Sequence, residues 1–217
     1  KVSVDSLMEK VKSLHEFNPM LGHRGCRLGI SYPEIYEMQT RAIMEAACEL
    51  TRMNGFEIEP EIMVPFVVTV EEFRMLKANI EKVCKEVCDK FQTPVKYKVG
   101  TMIEIPRAAI IADQIAEIAD FFSFGTNDLT QMTLGLSRDD AGSFLPSYVD
   151  KGIFAKDPFV SVDQEGVGEL MRLAAERGKK GNSDLKLGIC GEQGGDTATI
   201  EFCHRLGLNY VSCSPFR

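Results

Sequence analysis

Apolar residues recur along the chain in two patterns, one typical of helices and one typical of buried strands. In the helical segments they return every three or four residues, as in Ile35, Met38 and Ala42. This spacing predicts helices over residues 3–14, from 33 to just before 55, and over 69–91, 106–119, 163–177 and 197–206. Short apolar runs between them predict six strands, near residues 26, 64, 101, 122, 188 and 211. Residues 138–160 are polar and irregular, which is typical of a functional or disordered loop.

The order of these elements predicts a parallel sheet. Strands and helices alternate without strand–strand hairpins, and parallel neighbours need right-handed crossovers. Six strands suit either a doubly wound sheet or a (β/α)8 barrel without its first two units. Every predicted strand ends in a polar or reactive residue, which favours the barrel, because barrel sites gather at the C-terminal ends of all strands. We therefore expect an α/β fold, with residues 1–217 forming one incomplete TIM-type barrel domain.

Composition and charge narrow the classes of partner. The 217 residues are 44% hydrophobic and 26% charged, which is ordinary for a globular domain. A net charge of −7 argues against a nucleic-acid partner. No apolar stretch approaches the roughly 20 residues that cross a bilayer, so we expect no membrane partner. The chain begins with Lys1 and carries no signal pattern, and we expect it to be a piece of a longer protein.

Cysteine and histidine usage points to a reducing compartment and against zinc. Seven cysteines are scattered and odd in number, in a chain too long to need disulfides, so cytoplasmic thiols are expected. No Cys-x-x-Cys pair occurs, and none of the three histidines stands in a ligand-like pair. A structural zinc site is therefore not expected.

The stretch with the most chemistry follows the predicted strand near residue 122. The apolar run 118–124 stops at Gly125, and Thr126, Asn127 and Asp128 follow without a spacer. Gly125 allows close approach of a ligand, and the next three residues supply a hydroxyl, an amide and a carboxylate. The same residues are good helix caps, so this stretch alone leaves a binding site and a capped strand end equally open.

Glu104 and Asp128 are candidate metal ligands. They end successive predicted strands, and neighbouring parallel strands bring such carboxylates together at one rim. Two hard oxygen ligands with room for substrate and water suit Mg²⁺. The alternative is that each carboxylate caps the following helix. Glu104 lies within an apolar strand, where an unpaired charge is costly, and this favours the metal site.

Cys190 and Arg24 are further candidates. Cys190 follows a predicted strand and is flanked by Gly188 and Gly191, a setting in which a thiol can act as nucleophile or proton donor. The alternative is a small buried side chain, the usual fate of a free cysteine. Arg24 lies at a predicted strand mouth, where a guanidinium binds carboxylate or phosphate through two hydrogen bonds.

The assembled motifs resemble a known family. They are similar, in order, to the C-terminal phosphoenolpyruvate (PEP) and pyruvate-binding barrel of the pyruvate, phosphate dikinases, which are PEP-utilising enzymes. The motifs are Gly22-His23-Arg24-Gly25-Cys26-Arg27-Leu28, Gly100-Thr101-Met102-Ile103-Glu104-Ile105-Pro106-Arg107, Phe122-Ser123-Phe124-Gly125-Thr126-Asn127-Asp128-Leu129-Thr130-Gln131, Ser137-Arg138-Asp139-Asp140-Ala141-Gly142 and Gly188-Ile189-Cys190-Gly191-Glu192. PEP synthase and enzyme I of the sugar phosphotransferase system share some of these motifs and are the alternatives within the superfamily.

The resemblance implies a reaction and a role for each candidate. Members convert ATP, phosphate and pyruvate reversibly to AMP, diphosphate and PEP, with a phosphohistidine on a separate domain as carrier. By resemblance, Glu104 and Asp128 hold Mg²⁺, and Arg24 neutralises the phosphoryl group. Gly125, Thr126, Asn127 and Asp128 contact substrate. Cys190 moves a proton to or from the pyruvate methyl carbon.

The resemblance also implies partners that this chain does not contain. His15, His23 and His204 lie in barrel segments, so the carrier histidine and the nucleotide-binding domain are expected elsewhere in the parent chain. The first two barrel strands would precede Lys1, and the last helix would follow Arg217. A homodimer is expected for the parent, in the cytoplasm or an organelle. A non-catalytic dimerisation fragment is the alternative from another functional class.

Overall fold

Five parallel strands form the centre of the fold, and the computed structural model describes residues 2–216 around them. The strands are β1 (Glu61–Val64), β2 (Lys98–Ile103), β3 (Phe121–Phe124), β4 (Lys186–Ile189) and β5 (Tyr210–Val211). They pair in chain order, and every pair is parallel. Within residues 2–216 the sheet is open, with β1 and β5 at its edges. The α/β class and the parallel sheet are confirmed.

Eleven α-helices within residues 2–216 connect and cover the strands. They are α1 (Val4–Ser13), α2 (Cys26–Ser31), α3 (Pro33–Asn54), α4 (Val70–Phe91), α5 (Pro106–Ile110), α6 (Ala112–Ala116), α7 (Thr126–Leu134), α8 (Arg138–Ala141), α9 (Leu145–Asp150), α10 (Val167–Gly181) and α11 (Thr197–Arg205). None of the helices in this part of the chain combines the length and apolar character needed to cross a bilayer.

The long helices α3 and α4 begin and end where local chemistry dictates. Pro33 occupies the first turn of α3, and Gly55 ends that helix with a left-handed φ of 67°. Thr69 caps α4 by accepting a hydrogen bond from the backbone N–H of Glu72. The Glu72 carboxylate accepts from the N–H of Thr69 in return, which completes a capping box.

The main core lies between the strands and helices α4 and α10. Strand β3 is buried along its whole length, as expected for a parallel strand covered on both faces. Fully or nearly fully buried side chains of this core include Val64, Val99, Ile103, Phe122, Leu187, Leu76, Val83, Met171 and Ala174. The core holds the C-terminal ends of β2, β3 and β4 in fixed relative positions, and these ends carry the site.

The prediction of a strand near residue 26 is wrong. Residues 26–31 form helix α2, so the described sheet has five strands where six were predicted. Gly25 precedes the helix with a φ of 58°, a backbone conformation that residues with a side chain rarely adopt. Only Cys26 and Gly29 of α2 are buried, three residues apart, which is a helical spacing. In a run this short, the helical and strand patterns overlap.

The prediction of an irregular loop for residues 138–160 is also wrong in part. This segment contains the short helices α8 and α9, and Ala141, Leu145 and Phe159 form a second small core beneath them. Two predicted helices also differ in their bounds. The helix predicted for 106–119 is divided into α5 and α6 at Ile111, and the helix predicted from 163 begins at Val167. These segments are short, so tertiary packing determines them more than local spacing does.

Candidate active site

Glu104 lies just beyond β2 and is 3% exposed. Its Oε1 accepts a hydrogen bond of 2.6 Å from the backbone N–H of Phe66. Burial, and then repulsion from Asp128, raise the pKa of Glu104 to about 7. This carboxyl is therefore poised to ionise near neutral pH when a cation arrives.

Asp128 lies in the first turn of α7, directly after β3, and is 8% exposed. The guanidinium of Arg24 donates to both carboxylate oxygens, Nη2 to Oδ2 at 2.9 Å and Nη1 to Oδ1 at 3.3 Å. Gln131 donates to Oδ1 from the next turn of α7, at 3.3 Å. Asp128 is thus held from two sides at the rim where β2 and β3 end.

Gly125 lets Glu104 lie close to the backbone at the end of β3. A Cβ atom at this position would lie 2.7 Å from Glu104 Oε2 and 2.5 Å from Met102 Sδ, so no side chain fits without displacing both. The sequence suggested that Gly125 allows close approach of a ligand, and in the structure it allows close approach of Glu104. A contact between Gly125 and substrate stays a prediction.

Arg24 reaches the site from an unexpected direction. It was expected at a strand mouth, but it lies in the loop before α2, and its ion pair with Asp128 spans 104 positions of sequence. The guanidinium also lies over the ring of Phe66, 4.6 Å from its centroid. Arg27 lies over the same ring at 4.8 Å and donates to the carbonyls of Leu21 and Gly22, so it holds the loop in place.

Phe66 is a site residue that sequence reasoning missed. It is fully buried and has a φ of 66°, which is uncommon for a residue with a bulky side chain. This conformation points its N–H at Glu104, while its ring supports both arginines. No local pattern signals this role, since residue 66 reads as one more apolar position after a strand.

Cys190 follows β4 and is half-buried. Its Sγ lies 3.7 Å from the carbonyl oxygen of Phe124, and its backbone N–H donates to the same oxygen at 3.1 Å. Burial raises the pKa of the Cys190 thiol, and a contact with the hydroxyl of Ser123 lowers it in part. The thiol is therefore protonated at neutral pH, which suits a proton donor better than a nucleophile.

Thr126 and Asn127 face the residues after Cys190. Thr126 Oγ1 donates to Gln193 Oε1 at 2.8 Å, and Asn127 Oδ1 accepts from the backbone N–H of Glu192 at 3.0 Å. These side-chain oxygens are engaged within the protein, whereas contacts between Thr126 or Asn127 and substrate stay a prediction. Gln193 is fully buried and was missed by sequence reasoning.

The donor set fits Mg²⁺. Within the described residues no cluster of three or more His, Cys, Asp or Glu side chains is found, so a closed all-protein metal cage is not present there. Two neighbouring carboxylates, one of them with a pKa raised to about 7, are the partial ligand set that Mg²⁺ accepts while it keeps several waters. Arg24 supplies the positive charge beside Asp128 in this structure.

Comparison with known proteins identifies the family. Residues 2–217 match the family described as "PEP-utilising enzyme, PEP-binding domain". The chain belongs to this family. The resemblance inferred from the motifs is thereby confirmed over nearly the whole chain.

Several curated proteins are more than half identical in sequence to this chain. The chain is 63% identical over 211 residues to "Pyruvate, phosphate dikinase" of Rhizobium meliloti, covering 97% of this chain and 24% of that protein. It is 58% identical to the protein of the same name from Clostridium symbiosum, covering 96% and 24%, and 57% identical to that of Giardia intestinalis, covering 96% and 23%. The chain thus spans about a quarter of the length of these relatives.

Proposed function

We propose that this chain is the PEP- and pyruvate-binding domain of a pyruvate, phosphate dikinase. The observation that carries the proposal is the buried pair of Glu104 and Asp128 at one rim, with Arg24 and Cys190 beside it. Further support comes from relatives named pyruvate, phosphate dikinase, whose similarity covers nearly the whole of this chain. The reaction converts ATP, phosphate and pyruvate reversibly to AMP, diphosphate and PEP.

The fold that fits this role is an incomplete TIM-type (β/α)8 barrel. Support comes from the strand order, which runs from β1 to β5 without reversal. A doubly wound sheet reverses its order at a switch point, whereas a barrel continues in one direction. Two further strands and a closing helix belong to the parent chain in this proposal.

Glu104 and Asp128 would hold the Mg²⁺ in the proposed mechanism. Bound Mg²⁺ would stabilise the negative charge that develops on the enolate oxygen. Arg24 balances the charge of the phosphoryl group, for which it exchanges part of its pairing with Asp128. The backbone N–H groups of Asn127 and Asp128, in the first turn of α7, would donate to the substrate carboxylate.

Cys190 completes the turnover by moving one proton. In the direction of pyruvate formation the phosphoryl group passes from PEP to a histidine, and the remaining enolpyruvate takes the thiol proton at its methylene carbon. A new C–H bond forms, the S–H bond breaks, and the thiolate regains a proton from water. The raised pKa of Cys190 favours the protonated thiol that this step needs.

The partners follow from the reaction. A phosphohistidine domain and a nucleotide-binding domain of the same parent chain deliver and receive the phosphoryl group. A homodimer and a cytoplasmic location, or an organelle for the parent, remain part of this proposal. The alternatives within the superfamily are PEP synthase and enzyme I, and formation of diphosphate from ATP and phosphate by the full-length protein distinguishes a dikinase from both.

Mg²⁺-dependent binding of oxalate, an enolpyruvate mimic, tests the metal site. In the full-length protein we expect Glu104→Gln plus Asp128→Asn to weaken oxalate binding at least about 100-fold, because both oxygen ligands lose their charge. Isothermal titration calorimetry with and without Mg²⁺ measures this. Glu81→Gln plus Asp89→Asn, on the exposed side of α4, is the matched control. Undiminished binding in the site variant would overturn the metal assignment.

Exchange of the pyruvate methyl protons with deuterated water tests the role of Cys190. We expect Cys190→Ser to slow this exchange by about 10²- to 10⁴-fold, because the hydroxyl is a much weaker acid than the thiol. Mg²⁺-dependent oxalate affinity should stay within about twofold of the wild type. Proton NMR of pyruvate follows the exchange. Full exchange in the variant would show that another group moves the proton.

A further inference from the structure

Gln193 forms the centre of a buried hydrogen-bond network beside the site. Its side chain is fully buried, and its Oε1 accepts from Thr126 Oγ1 at 2.8 Å. Its Nε2 donates to the carbonyl oxygen of Pro158 at 3.0 Å and lies 3.4 Å from Thr130 Oγ1. One side chain thus joins α7, the segment before α10 and the turn after β4. A buried amide with both ends satisfied is costly to disturb.

Two further contacts hold the turn of residues 190–193, here called the thiol turn, against α7. The backbone N–H of Glu192 donates to Asn127 Oδ1 at 3.0 Å. Gly191 packs so closely on Thr126 that a Cβ atom at position 191 would overlap the Thr126 hydroxyl. The thiol turn therefore lies directly on the first turn of α7, the same turn that carries Asp128.

This arrangement couples the proton donor to the metal ligands. Cys190 opens the thiol turn, and Asp128 follows Thr126 by two residues, so a shift of the turn relative to α7 changes the position of the thiol relative to both carboxylates. A displacement of about 1 Å at a reacting group can cost about 100-fold in rate. The contacts of Thr126 with Gln193 are thus placed to control the reaction without touching the reacting carbon.

We propose that Gln193 and Thr126 are positioning residues that fix the Cys190 thiol beside the carboxylate pair. The side chain of Thr126 serves this contact, and not a bond to substrate. The inference rests on the proposed function for its kinetic consequence, since a thiol that protonates enolpyruvate must stand at a fixed distance from the bound substrate. Its structural part, the restraint on Cys190, is independent of that function.

The test uses matched substitutions in the full-length protein. Thr126→Val keeps the shape of the side chain and removes its hydroxyl, Thr126→Ser keeps the hydroxyl, and Gln193→Met removes both hydrogen-bonding ends at similar length. We expect Thr126→Val and Gln193→Met to slow methyl-proton exchange of pyruvate by about 10- to 100-fold, with oxalate affinity within about twofold. Thr126→Ser should keep exchange close to the wild-type rate. Gln164→Met, at an exposed position, is the control for glutamine replacement.

A second readout follows the thiol itself. Alkylation of Cys190 by iodoacetamide, quantified by mass spectrometry of its peptide, should be roughly tenfold faster in Thr126→Val and Gln193→Met, because a released turn exposes the thiol. Wild-type rates of exchange in these variants would overturn the positioning role, and wild-type rates of alkylation would overturn the restraint on Cys190. If Gln193→Met does not fold, the comparison of Thr126→Val with Thr126→Ser decides the same question.

The two readouts separate this inference from the proposed function. A wild-type protein that neither binds oxalate with Mg²⁺ nor exchanges the pyruvate protons contradicts the dikinase proposal, while the alkylation rates still report on the restraint of Cys190. Conversely, normal exchange in both variants with a functional wild type contradicts only the positioning role. A double variant should lose no more than the larger single loss, because both changes remove one shared contact.

Discussion

The buried carboxyl of Glu104 is the residue around which the site is built. It is desolvated, is repelled by Asp128, and is held by the N–H of Phe66, which has a left-handed φ of 66°. Strained backbone of this kind persists where surrounding structure enforces it, and it clusters at functional sites. The buried carboxyl of Glu104 therefore destabilises the metal-free fold, and its carboxylate form would serve as a ligand once a cation binds.

The pH dependence of stability should reveal Glu104 directly. Between pH 4.5 and about 7 the folded protein keeps a proton that the unfolded chain releases, because the pKa of Glu104 is raised from 4.5 to about 7. The free energy of unfolding therefore falls as pH rises through this window, by about 3 kcal/mol in total. Urea denaturation in EDTA should show that the free energy of unfolding of Glu104→Gln, relative to the wild type, rises by that amount between pH 4.5 and 8.

The control for this prediction is Glu201→Gln, an exposed position on α11. Its unfolding free energy should run parallel to that of the wild type over the same pH range, within about 0.5 kcal/mol. A constant difference between Glu104→Gln and the wild type at every pH would contradict the assigned environment of Glu104.

At the scale of elements, a helix start can be predicted from the sequence only when nearby residues determine it. Helix α4 starts at a complete capping box, so its first turn is satisfied by residues within three positions of one another. Gly25 directly precedes helix α2, and a Cβ atom at Gly25 would lie 2.5 Å from the Cβ atom of Phe66. The start of α2 is thus set by a contact with a distant segment, and its sequence alone resembled a strand.

The cap of α4 yields a simple stability prediction. Thr69→Ala should lower the free energy of unfolding by about 1 kcal/mol, because the N–H of Glu72 loses its acceptor. Thr69→Ser retains the hydroxyl and should stay within about 0.5 kcal/mol of the wild type. Thermal or urea denaturation of the full-length protein measures both. Equal stability of the alanine and serine variants would show that the hydroxyl contributes little.

At the scale of the whole molecule, the open sheet and the apolar surface of α1 stand out. Within residues 2–216, β1 and β5 each pair on one side only. Helix α1 buries no residue and leaves Leu7 and Val11 more than half exposed. Unpaired strand edges and exposed apolar faces promote association with other chains.

The isolated 217-residue chain should therefore behave differently from the same residues within the full-length protein. We expect concentration-dependent association of the isolated chain, and a melting temperature at least about 5 °C lower, because the proposed barrel would pair the edges of β1 and β5 that are open here. Light scattering after size exclusion and calorimetry measure these two quantities. An isolated chain that stays monomeric at high concentration and melts at the same temperature would contradict an incomplete barrel.

The resemblance of the ordered motifs indicated the family. Apolar spacing and caps by themselves determined the long helices and the alternation that requires a parallel sheet. They also placed Glu104 and Asp128 together, because strand ends of a parallel sheet share one edge. These inferences succeed because each depends on residues close in sequence or on a general rule of chain topology. Local signals could not decide between helix and strand in the short run of α2, nor find α8 and α9.

Only the tertiary structure decided which distant groups meet. The sequence named Arg24 as a ligand for an anion, and the fold pairs it with Asp128. The sequence assigned Thr126 to substrate, and the fold binds its hydroxyl to Gln193, 67 positions away. Such pairs depend on how helices pack over the strands, and a buried polar group takes whichever partner that packing brings within reach.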